Sequence, residues 1–142
     1  MGAKSRRKGA GAEREFAGLV HDWLGVRLVR NLDQTRSGGH DLMVDDDGPA
    51  ARALERFAFE IKRHATVTRA NLDAWWRQAE DQARRCGKIP ALAFRADRQP
   101  WQILIPLAEI HPDLPIDSRF EHCAALSIEG FAVVIREIHI NR

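Results

Sequence analysis

Apolar residues recur at helical spacing near the start of the chain, where Phe16, Leu19, Val20 and Trp23 predict a helix over 11–24 with one buried face. Glu13, three residues before Phe16 and seven before Val20, points to the same inward side. A carboxylate there needs either the helix N-terminus or a buried partner. Glu15 points elsewhere and reads as a surface residue. Partial alternation predicts a strand over 26–30, followed by a polar loop over 31–39 that ends in R-S-G-G. A second strand over 40–44 sets Leu42 and Val44 opposite Asp41 and Met43, and Asp45, Asp46, Asp47, Gly48 and Pro49 close it as a solvated turn. After a short polar segment comes the clearest strand, over 57–62. Phe57, Phe59 and Ile61 fall on one face and Ala58, Glu60 and Lys62 on the other.

Thr66 or Thr68 caps the next expected helix, which runs to Cys86 and stops at Gly87. Its inward stripe reads Leu72, Trp75, Ala79, Gln82, Ala83 and Cys86, with Trp76 harder to place and assigned to core or interface packing. Strands over 91–95 and 101–105 form a hairpin through a short polar loop. The proline-bearing stretch 106–119 reads as irregular, with helical turns expected over 107–110 and 120–126 and a final apolar strand over 131–135. The order is helix, three strands, helix, then strands: an α/β domain with a mixed sheet.

Composition narrows the class. At 142 residues, 44% hydrophobic and 30% charged, the chain is one globular domain by size and balance. It contains neither a run of about 18 apolar residues nor an apolar stretch behind its basic start, so no membrane span or secretory signal is expected and the protein is placed in the cytoplasm. The formal charge is only +2, but Lys4, Arg6, Arg7 and Lys8 all precede the first acidic residue. They form a basic arm over 1–10, ahead of a single domain over 11–142, and suit the neutralisation of phosphates. Arg36 and Ser37 add donors for a phosphate in the loop, and His64 offers another contact. Cys86 and Cys123 have no zinc or redox spacing and read as buried thiols. The phosphate loop G-x-x-x-x-G-K-[ST] is missing, so no nucleotide cofactor is expected.

The chemistry gathers between residues 38 and 62. If the strands carrying Asp41 and Glu60 pair antiparallel, two carboxylates converge at one edge, with Lys62 about 6.6 Å from Glu60 along the strand. Hard oxygen donors suit Mg²⁺, with Mn²⁺ as a substitute. An ammonium beside them can orient water and offset phosphate charge. Glu13 can add a third carboxylate.

The ordered set resembles the PD-(D/E)xK nuclease superfamily, with Asp41 in G-H-D as the acidic residue and Glu60 and Lys62 in E-I-K; His40 stands where the superfamily name has proline. K-G-A-G-A-E-R-E-F over 8–16, R-S-G-G-H-D over 36–41 and F-E-I-K over 59–62 are similar to archaeal-type Holliday junction resolvases and related phage nucleases. The resemblance implies a restriction-endonuclease-like core and an Mg²⁺-dependent DNA endonuclease acting as a homodimer on branched DNA. It also implies metal-site roles for Glu13, Asp41 and Glu60, a catalytic role for Lys62, DNA contact at Ser37, and a glutamine, Gln78, in the helix after E-x-K. Flaps, nicks and duplex ends are the alternative substrates, and a non-catalytic DNA-binding module on the same fold is the alternative function.

Overall fold

The computed structural model describes residues 3–32 and 40–141, giving the backbone alone for residues 3–8. Helix α1 (Ala3–Leu24) leads into strands β1 (Leu28–Arg30) and β2 (Leu42–Val44), then helix α2 (Pro49–Glu55), strand β3 (Phe57–His64) and helix α3 (Arg69–Cys86). Strands β4 (Ile89–Ala96), β5 (Gln102–Pro106) and β6 (Cys123–Ser127) follow, and helix α4 (Ile128–Val134) runs into a wider helical turn over Ile135–His139. In the described residues the strands form one mixed sheet in the order β1-β2-β3-β4-β5-β6. β3 and β4 are parallel and the other neighbours antiparallel. A parallel pair needs a crossover, which α3 supplies. The expected α/β class with a mixed sheet flanked by helices is the observed one.

Local chemistry accounts for the main elements. Ala12, Phe16 and Val20 line the buried side of α1, which ends where Gly25 takes the left-handed conformation (φ 67°). Trp23, expected on that face, is 38% exposed, while its neighbour Leu24 packs against the core. In α3 the Thr68 hydroxyl accepts from the Asn71 N–H at 3.1 Å, and the Asn71 side chain accepts from the Thr68 N–H at 3.0 Å. Gly87, at φ 68°, closes the helix.

Two cores sandwich the sheet. On one side Phe16, Phe57, Phe59, Trp101 and Phe131 pack with α1, α2 and α4. On the other, Trp75, Trp76 and Ala79 of α3 cover Leu92, Phe94 and Leu104. Trp76 is fully buried, and its indole N–H reaches the Ser118 carbonyl at 2.6 Å. β3 is therefore covered on both faces as far as Ile61.

Three expectations about elements are corrected. The polar segment before β3 contains α2, which begins with Pro49 after Gly48 and buries Ala51, Ala53 and Leu54; proline fits a first helical turn. Residues 123–127 form β6 beyond a helical turn limited to Phe120–His122. The expected final strand over 131–135 is helical. Ile128, Phe131, Ala132 and Ile135 are buried at i, i+3, i+4 and i+7, and the Ser127 hydroxyl caps the Gly130 N–H at 3.0 Å. In a strand Phe131 and Val133 would share a face, yet Val133 is 54% exposed. Phe131→Ala should therefore cost about 3–5 kcal/mol, and Val133→Ala should stay within about 0.5 kcal/mol. Denaturant unfolding of both variants measures the contrast, and equal losses would contradict the helical phase.

Candidate active site

Asp41 stands where β2 parts from β3. The pairing has one residue couple in register, Leu42 with Phe59, and the Asp41 N–H donates to the Phe59 carbonyl at 2.9 Å. At Ile61, two residues beyond Phe59 on β3, where β2 no longer supplies a backbone partner, the Asp41 side chain takes over: its Oδ2 accepts the Ile61 N–H at 2.8 Å. The expected antiparallel approach is thus observed, and it brings the Asp41 carboxylate up to the strand that carries Glu60 and Lys62.

Glu60 lies under α3, only 2% exposed. Its Oε1 is 3.4 Å from the Lys62 ammonium, while Oε2 is buried without a hydrogen-bond partner. Gln82, reaching in from α3, also contacts this carboxylate. Burial pushes Glu60 above the usual carboxylate range, and Lys62, Asp41 and Gln82 pull it back only in part. Asp41 is pushed up to about 8, first by burial and then by the Glu60 charge, with the Ile61 N–H opposing and Glu13 adding to the rise. The pair is therefore short of positive charge. Two hard oxygen donors, one of them with a buried acceptor atom left unmatched, fit a small divalent cation whose other positions are filled by water.

Glu13 is 7% exposed, as its inward phase required, and its partner is Arg30, an exposed side chain whose Nε lies 2.6 Å from Glu13 Oε2. It is close enough to act on Asp41 electrostatically. Among the described residues, however, no three His, Cys, Asp or Glu side chains converge as a metal cluster.

The remaining candidates spread out. His64 is exposed at the end of β3, its ring 4.8 Å from that of Trp75. Gln78 is exposed on α3, and Gln82, one turn on, is the glutamine that meets Glu60. The backbone of α1 continues through most of the basic arm, with the side chains of Lys4, Arg6, Arg7 and Lys8 outside the described residues, as are Arg36 and Ser37 altogether. His40 is buried beside Cys86 (Nδ1 to Sγ 3.9 Å), and burial followed by the Lys88 charge lowers its pKa. Cys86, expected to be buried, is exposed, because it follows Ala83 beyond the edge of the α3 core; Cys123 is half-buried and both are free thiols. Sequence reasoning missed Arg30 as the cation for Glu13 and Gln82 as a site residue. The signal for Gln82 was a polar side chain seven residues after Trp75 on an otherwise apolar line.

The raised Asp41 pKa has a consequence for stability. The native state holds a proton that the unfolded chain, with the ordinary value of 3.8, releases first. Stability from this group is thus fully present below the unfolded pKa and is lost as pH rises through about 8. Asp41→Asn should melt at a higher temperature than the unsubstituted protein at pH 8 in EDTA, and at the same temperature near pH 4. Thermal melts across that range check this; a variant that melts lower at pH 8 would show that the carboxylate is not penalised.

The family model described as "Phage putative PDDEXK endonuclease" matches residues 4–133. Protein D14 of Escherichia phage T5 is 25% identical over 116 residues, 74% of this chain and 72% of that protein. A solved structure of Hjc, a Holliday junction resolvase from Archaeoglobus fulgidus, overlaps 84% of each chain at 16% identity with a TM-score of 0.46. The family match runs from α1 through the whole sheet into α4 and takes in Glu13, Asp41, Glu60 and Lys62, and on that extent the chain belongs to this family of PDDEXK endonucleases.

Proposed function

We propose that the chain is a metal-dependent DNA endonuclease whose site is formed by Asp41, Glu60 and Lys62, with Glu13 at its edge. The observation that carries this reading is the buried Asp41–Glu60 pair, which leaves Glu60 Oε2 without a partner beside the Lys62 ammonium. Asp41 and Glu60 are the residues that would hold Mg²⁺ or Mn²⁺, and such an ion supplies Lewis acidity toward a phosphate oxygen. The protein side chains divide the remaining work. Lys62, held 3.4 Å from Glu60, places a fixed positive charge where the phosphate gains negative charge during attack by water. Glu60 in turn restrains the ammonium, and burial beneath α3 limits competing water around the carboxylate. In the reaction a water oxygen bonds to phosphorus, the bond to the leaving oxygen breaks, and the water's proton passes to solvent or the leaving group.

The finer reading is a homodimeric resolvase of four-way junctions, supported by the three sequence segments that resemble junction-resolving nucleases. Lys4, Arg6, Arg7, Lys8, Arg36, Ser37, His64 and Gln78 are the proposed DNA contacts.

Purified protein is incubated with labelled four-way junction, flap, nicked duplex, plain duplex and single strand in Mg²⁺, Mn²⁺ or EDTA. Paired symmetric cuts confined to the junction are expected. Equal cutting of every substrate would discard junction selectivity, and binding without cutting in any metal would favour a DNA-binding module. Lys62→Ala should fold and lower the initial cleavage rate by at least about 10²-fold; full activity in that variant would remove Lys62 from the mechanism. Without DNA, Mn²⁺ should raise the melting temperature of the unsubstituted protein and not that of Glu60→Gln.

A further inference from the structure

Glu15 does not behave as a surface residue. Its carboxylate receives the Trp101 indole N–H at 2.9 Å and Arg63 Nη1 at 3.1 Å. Arg95 Nε lies 2.8 Å from one of its oxygens and Nη2 3.4 Å from the other. Arg63 is also held by Asp97 at 3.4 Å, and the Arg95 guanidinium lies over the Trp101 ring. One side chain of α1 is thereby tied to β3, to β4 and to the residue that leads into β5. An isolated exposed ion pair contributes little, but here three donors share one carboxylate, and the Arg95 side chain is only 15% exposed. The geometry is that of a clamp.

The clamp matters because of what lies on either side of it. Two residues apart on a helix point to well-separated directions, so Glu13 and Glu15 leave α1 on opposite flanks. Glu13 meets Arg30 on β1 at 2.6 Å, and Glu15 meets β3 and β4. Between them the buried apolar contact of α1 is led by Ala12, Phe16 and Val20. Apolar packing of this kind is non-directional, whereas the flanking charged groups fix where the helix sits along the strands. Arg63 directly follows Lys62, so the Glu15–Arg63 contact references α1 to the strand segment that carries Glu60 and Lys62.

We propose that Glu15 is a positioning residue: by clamping α1 to Arg63, Arg95 and Trp101, it sets Glu13 against Asp41 and so tunes the site's hold on a divalent cation. This rests on the endonuclease reading given above. The test compares the protein with Glu15→Ala, Glu15→Gln and Ile135→Val, the last a core change that lowers stability from the helical turn after α4 without touching the site. Mn²⁺ half-saturation is read from the melting-temperature shift in the absence of DNA, and kcat and KM are then measured on junction and duplex DNA. Glu15→Ala should raise the Mn²⁺ half-saturation about tenfold and lower kcat about 10²-fold, with KM for DNA little changed. Glu15→Gln, which keeps an acceptor for the Trp101 N–H and loses the charge, should fall between. Glu15 variants that bind Mn²⁺ and turn over like Ile135→Val would overturn the proposal and leave the clamp a purely structural device. If the unsubstituted protein shows neither an Mn²⁺-dependent shift nor cleavage, the endonuclease reading itself fails and the positioning role goes with it.

Discussion

The constraint on which the rest of the structure depends is the burial of a carboxylate in the middle of a strand that is covered on both faces. A strand next to a parallel neighbour ordinarily reads as an unbroken apolar run, and over its buried part, Phe57 to Ile61, β3 follows that rule except at Glu60. Removing a carboxylate from water costs several kcal/mol unless it is paired and hydrogen-bonded. Lys62 offsets part of that cost from two residues along the same face, and Gln82 reaches in from α3. The α3 helix has to sit where it does for the Gln82 contact to exist, and its ends are fixed by Thr68 with Asn71 and by Gly87. The brevity of β2 belongs to the same arrangement. Had β2 continued, a backbone carbonyl would meet the Ile61 N–H; because it stops, Asp41 meets it with a side chain and a second carboxylate enters the site.

Acidic groups in this protein are held by cations drawn from distant parts of the chain. Glu13 takes Arg30 from β1, and Glu15 takes Arg63 and Arg95 from β3 and β4. These contacts sit at the ends of an apolar layer in which Phe16 packs against Phe59 and Trp101 at ring separations of 5.9 and 5.4 Å. Dispersion and burial hold α1 down, and the charged flanks say where. The absence of a comparable cation near Asp41 and Glu60, apart from Lys62, is what distinguishes that pair from the structural ones among the described residues.

Local patterns made part of this legible in the sequence. The alternation through Phe57, Phe59 and Ile61 placed Glu60 and Lys62 together, the Thr and Gly signals bounded α3, and the inward phase of Glu13 demanded a partner before any partner was visible. What failed was mostly a matter of period and reach. Residues 131–135 are apolar throughout, so they fit a strand as well as a helix; only Ile128, three residues earlier, reveals the 3.6-residue phase. α2 is too short for periodicity to show, although Pro49 marks its first turn. Glu15 looked exposed because its three partners lie 48 to 86 residues away, beyond any local rule. The choice between Gln78 and Gln82 turned on helix phase, and Trp76 on the strap residue Ser118, which no local spacing links to it.

The electrostatics of the site join stability to the proposed chemistry. Two crowded buried carboxylates keep a proton near neutral pH because the alternative is an uncompensated charge in a poorly solvated place. A divalent cation competes with that proton for the same oxygens, since a carboxylate binds metal in its ionised form. As pH rises through the range where Asp41 ionises, the protein on its own grows less stable while the same two groups become better donors. The strain of the buried pair and its capacity for a cation are therefore one property, created by the burial of Glu60 and the early end of β2. A more comfortable site, with each acid matched to its own arginine as at Glu13, would be easier to fold and would have less reason to hold a metal at all.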